Sequence, residues 1–263
     1  MQILAGQATK QRGLCLLMLI IAFHSAAVQS ATARIAVAAN FSATAQALAA
    51  EFSARSGHTI ELATGATGLL YAQITRGAPF DVFMAADRSR PARLADEGYA
   101  DSDSLFIYAH GRLAYWVRKK YPVPPLVELL RTEGSIIALA NPTLAPYGVA
   151  AKALINVKGG HKPVSKLVFG ENVSSAFSLV ASGNAQAGLV AYAQLLQYEI
   201  APREYLLIPA SDHPPIVQAT IITRHGSNNA AARAFHRYVS SDAGRLMIET
   251  AGYGLPPKAN GYE

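Results

Sequence analysis

The chain has 263 residues and a net charge of +6, from 23 basic and 17 acidic side chains. Its lysines and arginines are scattered and are not interleaved with aromatic residues, as they are in the common DNA- and RNA-binding modules. We therefore expect no nucleic acid partner, and the charge favours an anionic ligand only weakly.

The first 33 residues have the three parts of a secretory signal peptide. Two basic residues precede an apolar run at 14–23, and small residues follow as far as Ala33. The run of about 10 residues is shorter than the ~20 that cross a bilayer, which argues against a membrane anchor. We assign 1–33 as a signal peptide and expect export, with cleavage after Ala31 or Ala33.

Cleavage removes Cys15, the only cysteine. The mature chain then has no disulfide, no cysteine nucleophile and no cysteine ligand for zinc or an iron–sulfur cluster. It keeps 230 of the 263 residues, with 21 basic and 17 acidic side chains and a net charge of +4. That length is enough for one large domain or two small ones with filled cores.

Short β-rich runs alternate with alanine-rich helical stretches in the first half of the mature chain. Strands are predicted at 35–39, 59–62 and 82–85, and helices at 42–55, 69–75 and 91–98. Alternation of this kind predicts a parallel sheet with crossover helices.

A second α/β unit follows an apolar run at 113–117 and a turn-rich segment at 121–125. Its predicted strands are at 136–140, 166–169, 188–190, 206–209 and 216–223, and its helices at 126–131, 149–156, 173–182, 192–198, 230–240 and 244–251. Two such units are either consecutive domains or two lobes with a ligand in the cleft between them. Periodicity alone leaves both interpretations open.

Four turns between a predicted strand and the next helix contain small and polar residues but no lysine or arginine. They lie at 38–42, 65–68, 146–148 and 171–175. Ligands of open α/β sheets bind where strands end and helices begin, and free amides at a helix N-terminus attract oxyanions. Neutral donors would select a dehydrated anion by its radius and shape. Each turn taken alone is equally compatible with ordinary helix capping.

Motifs of the common enzyme classes are missing. The sequence contains no Gly-x-Ser-x-Gly elbow and no His-x-x-x-His pair, and the 65–68 turn lacks the lysine of a phosphate-binding P-loop. We interpret Asp81 and Asp87, which flank the strand at 82–85, as capping and loop residues, and expect most histidines to face solvent. No enzymatic activity and no bare cation site are expected.

The segments IAVAANF (35–41), GATGLLYAQI (65–74) and GAPFDVFMAAD (77–87) resemble the periplasmic molybdate-binding proteins of bacterial ABC uptake systems. The segments at 141–148 and 171–173 continue the resemblance in the same order, and it covers about 34–254.

This resemblance implies an α/β, two-lobed type II periplasmic-binding-protein fold with two crossovers between lobes. The first lobe would comprise 34–112 plus 219–263, and the second 113–218. A single molybdate or tungstate ion would lie in the cleft, with no other cofactor. The protein would act in the periplasm as a monomer that delivers its anion to a membrane permease of the ABC transporter.

The resemblance also assigns the groups that would bind the oxyanion. They are Asn40, the hydroxyl and amide of Thr67, and the backbone amides of Tyr147 and Val173, with Ala39 beside the first of them.

Three positions depart from the family pattern. Many relatives have serine where this chain has Asn40 and Thr67, and Ala191, a secondary candidate, stands where some relatives have a tyrosine hydroxyl. A receptor for sulfate or phosphate, an exported ester hydrolase and a protein-interaction module that has lost its ligand therefore remain alternatives.

Overall fold

A computed structural model describes residues 30–120, 122–159 and 164–257 of the chain. The predicted signal peptide lies outside the described residues except for its last four positions, 30–33. No helix in the described part of the chain is both long enough and apolar enough to cross a membrane.

The described residues form ten strands and several helices, which are numbered here in chain order. The strands are β1 (Thr32–Ala38), β2 (Thr59–Gly65), β3 (Val82–Ala85), β4 (Phe106–Gly111), β5 (Leu113–Val117), β6 (Ile136–Ala140), β7 (Lys166–Gly170), β8 (Ala187–Ala191), β9 (Tyr205–Leu207) and β10 (Ile216–Ile222). The α-helices are α1 (Ser42–Ser56), α2 (Thr67–Thr75), α3 (Ser89–Asp96), α4 (Leu126–Leu130), α5 (Pro146–Gly159), α6 (Val173–Ala181), α7 (Tyr192–Gln197), α8 (Ala230–Ser240) and α9 (Asp242–Thr250).

The strands form two five-stranded sheets, in the orders β2-β1-β3-β10-β4 and β7-β6-β8-β5-β9. We call the first sheet with its covering helices lobe I, and the second lobe II. The chain leaves lobe I after Gly111 and returns to it at Ile216, three residues before the predicted position 219. The predicted α/β class with two crossovers is confirmed, while the lobe boundaries stay a prediction.

The first-half strands predicted to be parallel, β1, β2 and β3, are parallel, but each sheet as a whole is mixed. In lobe I, β1 is parallel to β2 and β3, but β10 is antiparallel to β3 and β4. In lobe II, β6 is parallel to β7 and β8, but β5 is antiparallel to β8 and β9. The antiparallel pairs all involve β5 or β10, the strands with which the chain enters a lobe from the other one. A return through an inter-lobe connection needs no crossover helix, so these strands are free of the parallel constraint.

Helices cover both faces of each sheet, so each lobe has an α/β/α arrangement. In lobe I, Leu48 of α1 and Phe235 of α8 lie in the core on one face, and Leu70 of α2 lies in the core on the other. In lobe II, Leu154 of α5 lies in the core on one face, and Phe177 of α6 packs on the other with its ring stacked 4.8 Å from Trp116.

Local sequence accounts for the helix boundaries that position the site. Alanine-rich α1 ends at Gly57, whose φ of 71° is a left-handed C-cap that a residue with a side chain adopts at a cost. Helix α6 begins after Asn172, whose side-chain oxygen accepts a hydrogen bond from the amide of Ser175 at 3.0 Å.

Strand β4 has no counterpart among the predicted strands, and the expectation that most histidines face solvent is wrong. Among the described residues, His213 and His236 are buried, and only His225 is exposed. Burial lowers the pKa of His236 to about 4, with a smaller contribution from neighbouring Arg237, so this imidazole is neutral at pH 7.

Strand β1 begins two residues inside the predicted signal peptide. Thr32 pairs with Thr59 and Ala33 with Ile60, and Ala33 is fully buried. These two residues therefore form the first positions of a strand that lies inside the folded sheet.

Two positions on α5 provide a test of the lobe II core. Leu154 is 1% exposed and Val157 is 74% exposed. We expect Leu154→Ala to lower the free energy of unfolding by about 2–5 kcal/mol, since it leaves a cavity. The matched change Val157→Ala should stay within about 0.5 kcal/mol. Urea unfolding measures both, and equal losses would contradict this packing.

Candidate functional site

Three parallel strands of lobe I end at one edge of its sheet. Strand β1 runs into a short 3-10 turn at Ala39–Phe41, β2 ends just before α2, and β3 ends at Ala85. Because the carboxyl ends of parallel strands lie at the same edge, the turns after them are brought together. Asn40 and Thr67, predicted from the first two turns, are both buried there.

Lobe II presents an equivalent edge. Strand β6 ends at Ala140 and leads to α5, and its parallel partner β7 ends at Gly170 and leads to α6. Tyr147 lies in the first turn of α5 and Val173 opens α6, and both are buried. The four predicted turns thus occupy the carboxyl edges of two parallel strand groups.

Hydrogen bonds join the two edges across the lobes. The amide of Gly68 in α2 donates to the carbonyl of Leu144, just before α5, at 2.9 Å. The hydroxyl of Ser174 in α6 donates to the carbonyl of Ala39 at 3.2 Å. Each lobe I turn therefore meets a lobe II turn, so the chain segments that carry the four predicted donors meet at this junction.

Helix starts provide the positive potential of the site. The first amides of an α-helix have no acceptor within the helix, and they carry a partial positive charge. Within the described chain, no backbone hydrogen bond uses the amides of Tyr147 or Val173. Both amides are therefore available to an anion at the junction.

The Thr67 hydroxyl is oriented by a residue that sequence analysis did not select. The amide of Ala86, directly after β3, donates to Oγ1 of Thr67 at 3.2 Å. With its oxygen accepting that bond, the hydroxyl keeps its own proton for a ligand. The apolar run at 82–85 was the signal in the sequence for Ala86. A third parallel strand ends at the same edge as the other two, so the residue that follows it lies near their turns.

The side chain of Asn40 is held inside lobe I. Its Nδ2 donates to Oε1 of Gln218 at 2.8 Å and approaches the hydroxyl of Tyr253 at 3.4 Å. The Tyr253 hydroxyl in turn donates to the Asn40 carbonyl at 2.6 Å. These bonds occupy the Asn40 side chain inside lobe I and fix the turn. The backbone amide of Asn40 is therefore the group of this residue that remains to donate to an anion.

The two secondary candidates lie at different places. Ala39 borders the junction through its carbonyl. Ala191 is fully buried at the end of β8, paired with Leu113, and its methyl group cannot donate. The ring of the next residue, Tyr192, lies under the guanidinium of Arg112 at 4.8 Å and therefore does not replace a hydroxyl at position 191.

A cavity of about 870 Å³ lies beside the junction and is bordered by Ala39 and Asn172, the neighbours of two predicted donors. Its lining comes from both lobes and contains hydroxyl and amide side chains but no charged residue. The basic group that reaches across the lobes nearby is Arg90, which is paired with Asp87 and donates to the Thr143 carbonyl at 3.3 Å. In the described part of the chain, no cluster of acidic, histidine or cysteine side chains could hold a metal ion.

Comparison with known proteins identifies the family. Residues 33–254 match the model of the bacterial extracellular solute-binding proteins. This chain belongs to that family. The match includes all four turns and both sheets, so the junction between the lobes lies within the family's shared architecture.

Particular members of the solute-binding family are close in sequence and structure. A molybdate-binding protein of Rhodobacter capsulatus is 37% identical over 83% of this chain and 86% of its own length. The periplasmic molybdate-binding protein of Azotobacter vinelandii superposes with a TM-score of 0.77 at 33% identity, over 85% of this chain and 99% of that one. These similarities confirm the resemblance inferred from the sequence motifs and the two-lobed fold.

The same fold accommodates other ligands within the family's structural neighbours. A sulfate-binding protein from Mycobacterium tuberculosis has a TM-score of 0.72 at 16% identity, covering 86% of this chain and 88% of that one. The fold alone therefore does not specify the anion, and the donor set must do so.

Proposed function

We propose that this protein is an exported receptor that captures molybdate, and the similar tungstate, between its two lobes for uptake by an ABC transporter. The observation that supports this most strongly is the meeting of four turns that contain no lysine or arginine and whose buried members are Asn40, Thr67, Tyr147 and Val173. The molybdate-binding relatives at 33–37% identity support the choice of anion.

The proposed donors are the amides of Asn40, Tyr147 and Val173 and the amide and hydroxyl of Thr67, with Ala39 as a neighbour. All of these groups donate hydrogen bonds. A fully deprotonated tetrahedral dianion can accept from every one of them, whereas hydrogen phosphate brings a proton that needs an acceptor. Donors fixed on helices and strand ends discriminate by size, because hydrogen bonds weaken outside about 2.7–3.2 Å.

Closure of the lobes around the anion would create the surface that a membrane permease recognises. The Gly68–Leu144 and Ser174–Ala39 hydrogen bonds link lobe I to lobe II beside the proposed site, and they would be absent when the lobes separate. We propose that the monomer acts in the periplasm, needs no cofactor beyond its anion and catalyses no reaction.

Equilibrium titration with molybdate, tungstate, sulfate and phosphate tests the proposal. We expect molybdate and tungstate to bind at least a hundredfold more tightly than sulfate or phosphate. Sulfate binding as tight as molybdate binding would reassign the receptor to another oxyanion. Turnover of chromogenic phosphate or sulfate esters would favour an exported hydrolase instead, and absence of any ligand-induced thermal shift would favour an interaction module.

The Thr67 hydroxyl provides a residue-level prediction. Thr67→Ala removes a hydrogen bond to a charged ligand and should weaken molybdate binding by roughly 1.5–3 kcal/mol. Thr67→Ser keeps the hydroxyl and should bind nearly as well as the parent. Thr75→Ala, at the opposite end of α2, removes a hydroxyl bonded to the Ala72 carbonyl and serves as the control. Calorimetric affinities for Thr67→Ala equal to those of the control would exclude the hydroxyl from the site.

Strand β1 gives a prediction for the processed N-terminus. Because Thr32 and Ala33 are paired in the sheet and Ala33 is fully buried, we expect the secreted protein to retain both residues. Mass spectrometry of protein recovered from the periplasm of a Gram-negative host would identify the first residue. A mature chain that begins at Arg34 would contradict the prediction.

A further inference from the structure

The two connections between the lobes lie side by side. Gly111 is the last residue of β4, where the chain leaves lobe I, and Ile216 is the first residue of β10, where it returns. The two residues are paired across these antiparallel strands. Any change in the angle between the lobes must change the backbone conformation next to this pair.

The side chain of Tyr147 packs against this pair from lobe II. A methyl group placed on Gly111 would lie 2.5 Å from the Tyr147 hydroxyl oxygen, 3.0 Å from Cζ of the same ring and 2.7 Å from Cγ2 of Ile216. Carbon atoms do not approach other atoms this closely without displacement. Glycine at position 111 therefore allows the tyrosine ring to sit against both connections.

The proposed lobe I donor rests on the same two strands. Gln218 of β10 accepts from the side chain of Asn40 at 2.8 Å and from the hydroxyl of Tyr108, on β4, at 3.1 Å. The pairing of β10 with β4 shifts register between Gln218 and Ala219, so the glutamine lies at an irregularity in the strand. One anion-binding turn from each lobe is thus attached to β4 and β10.

We propose that the contact of the Tyr147 ring with Gly111 and Ile216 sets the distance between the Tyr147 and Asn40 amides in the closed protein. Gly111 and the ring of Tyr147 are then positioning elements that determine which size of tetrahedral oxyanion is held. This inference rests on the proposed function, since it assigns a role to residues around the same site.

The physical basis is the fixed geometry of the donors. The amide of Tyr147 lies in the first turn of α5, so a displaced ring moves the helix start that carries the amide. Hydrogen bonds to an anion lose strength steeply when the donor moves out of range or alignment. A side chain remote from the anion can therefore control both affinity and size discrimination.

Two variants probe the contact from opposite sides. Gly111→Ala inserts a methyl group into it, and Tyr147→Leu removes the ring while keeping the backbone amide. We expect each to weaken molybdate binding at least tenfold, and Tyr147→Leu to lower the molybdate-to-sulfate affinity ratio at least threefold because the spacing is no longer fixed. The loss caused by Gly111→Ala should be smaller in a Tyr147→Phe background, which lacks the nearest clashing atom.

The controls separate positioning from general destabilisation. Gly254→Ala adds a methyl group 3.3 Å from the Cβ of His110, beside β4 but away from Tyr147. Leu154→Ala opens a cavity in the lobe II core about two turns of α5 beyond Tyr147. Both should bind molybdate within threefold of the parent, and thermal unfolding of each ligand-free variant reports its stability.

The outcomes distinguish the two proposals. If the parent binds molybdate and both Gly111→Ala and Tyr147→Leu bind it within threefold of the parent, the positioning role is wrong and the proposed function stands. If Gly111→Ala does not fold, Tyr147→Leu alone decides in the same way. A parent that binds sulfate or phosphate instead overturns the choice of anion, and the same variants are then measured with that anion. A parent that binds none of these anions overturns both proposals.

Discussion

The structure depends on the placement of helix N-termini at the carboxyl ends of parallel strands. Pairing of β1 with β2 and β3, and of β6 with β7, brings the turns of each lobe to one edge. The amides in these turns carry partial positive charge without a mobile side chain. A dianion held this way meets donors that are fixed by the backbone, so affinity and size discrimination follow from the same geometry. A lysine or arginine would add attraction but would adjust its position to anions of different size.

The antiparallel strands have a separate role from the parallel ones. Strands β4 and β10 belong to lobe I, yet they adjoin the two connections to lobe II, and Gly111 and Ile216 meet Tyr147 there. The parallel and antiparallel strands of a mixed sheet therefore have different roles. The parallel strands direct amides toward the junction, and the antiparallel strands adjoin the connections between the lobes.

Local signals in the sequence were sufficient for elements whose identity is set by nearby residues. The buried run 82–85 and the alanine-rich helix 230–240 match β3 and α8 residue for residue, and all four turns lie on the passage from a strand to the next helix, as predicted. Strand β4, with an interrupted apolar pattern, was missed. The direction of β10 was also missed, because direction depends on the whole path of the chain and not on the composition of the strand.

The contacts that hold the candidate site in place join residues far apart in the sequence, so hydrophobic periodicity does not predict them. Asn40 is held by Gln218, 178 positions along the chain, and by Tyr253, 213 positions along. The close approach between Gly111 and Tyr147 likewise joins residues from different lobes. The resemblance to molybdate-binding proteins named the donors, but neither it nor the pattern of hydrophobic residues indicated what holds them in place.

Weak hydrogen bonds across the lobes also allow the ligand to be released. The Gly68–Leu144 and Ser174–Ala39 hydrogen bonds are each worth about 0.5–1.5 kcal/mol net, because water replaces them when the lobes separate. Closure without an anion would bury several amides that have no acceptor, at a cost of about 1–3 kcal/mol each, which exceeds what those two bonds return. The closed form therefore requires the differential binding energy of the anion itself. A salt bridge across the junction would hold the lobes closed without an anion. The closed form would then no longer depend on whether an anion is bound.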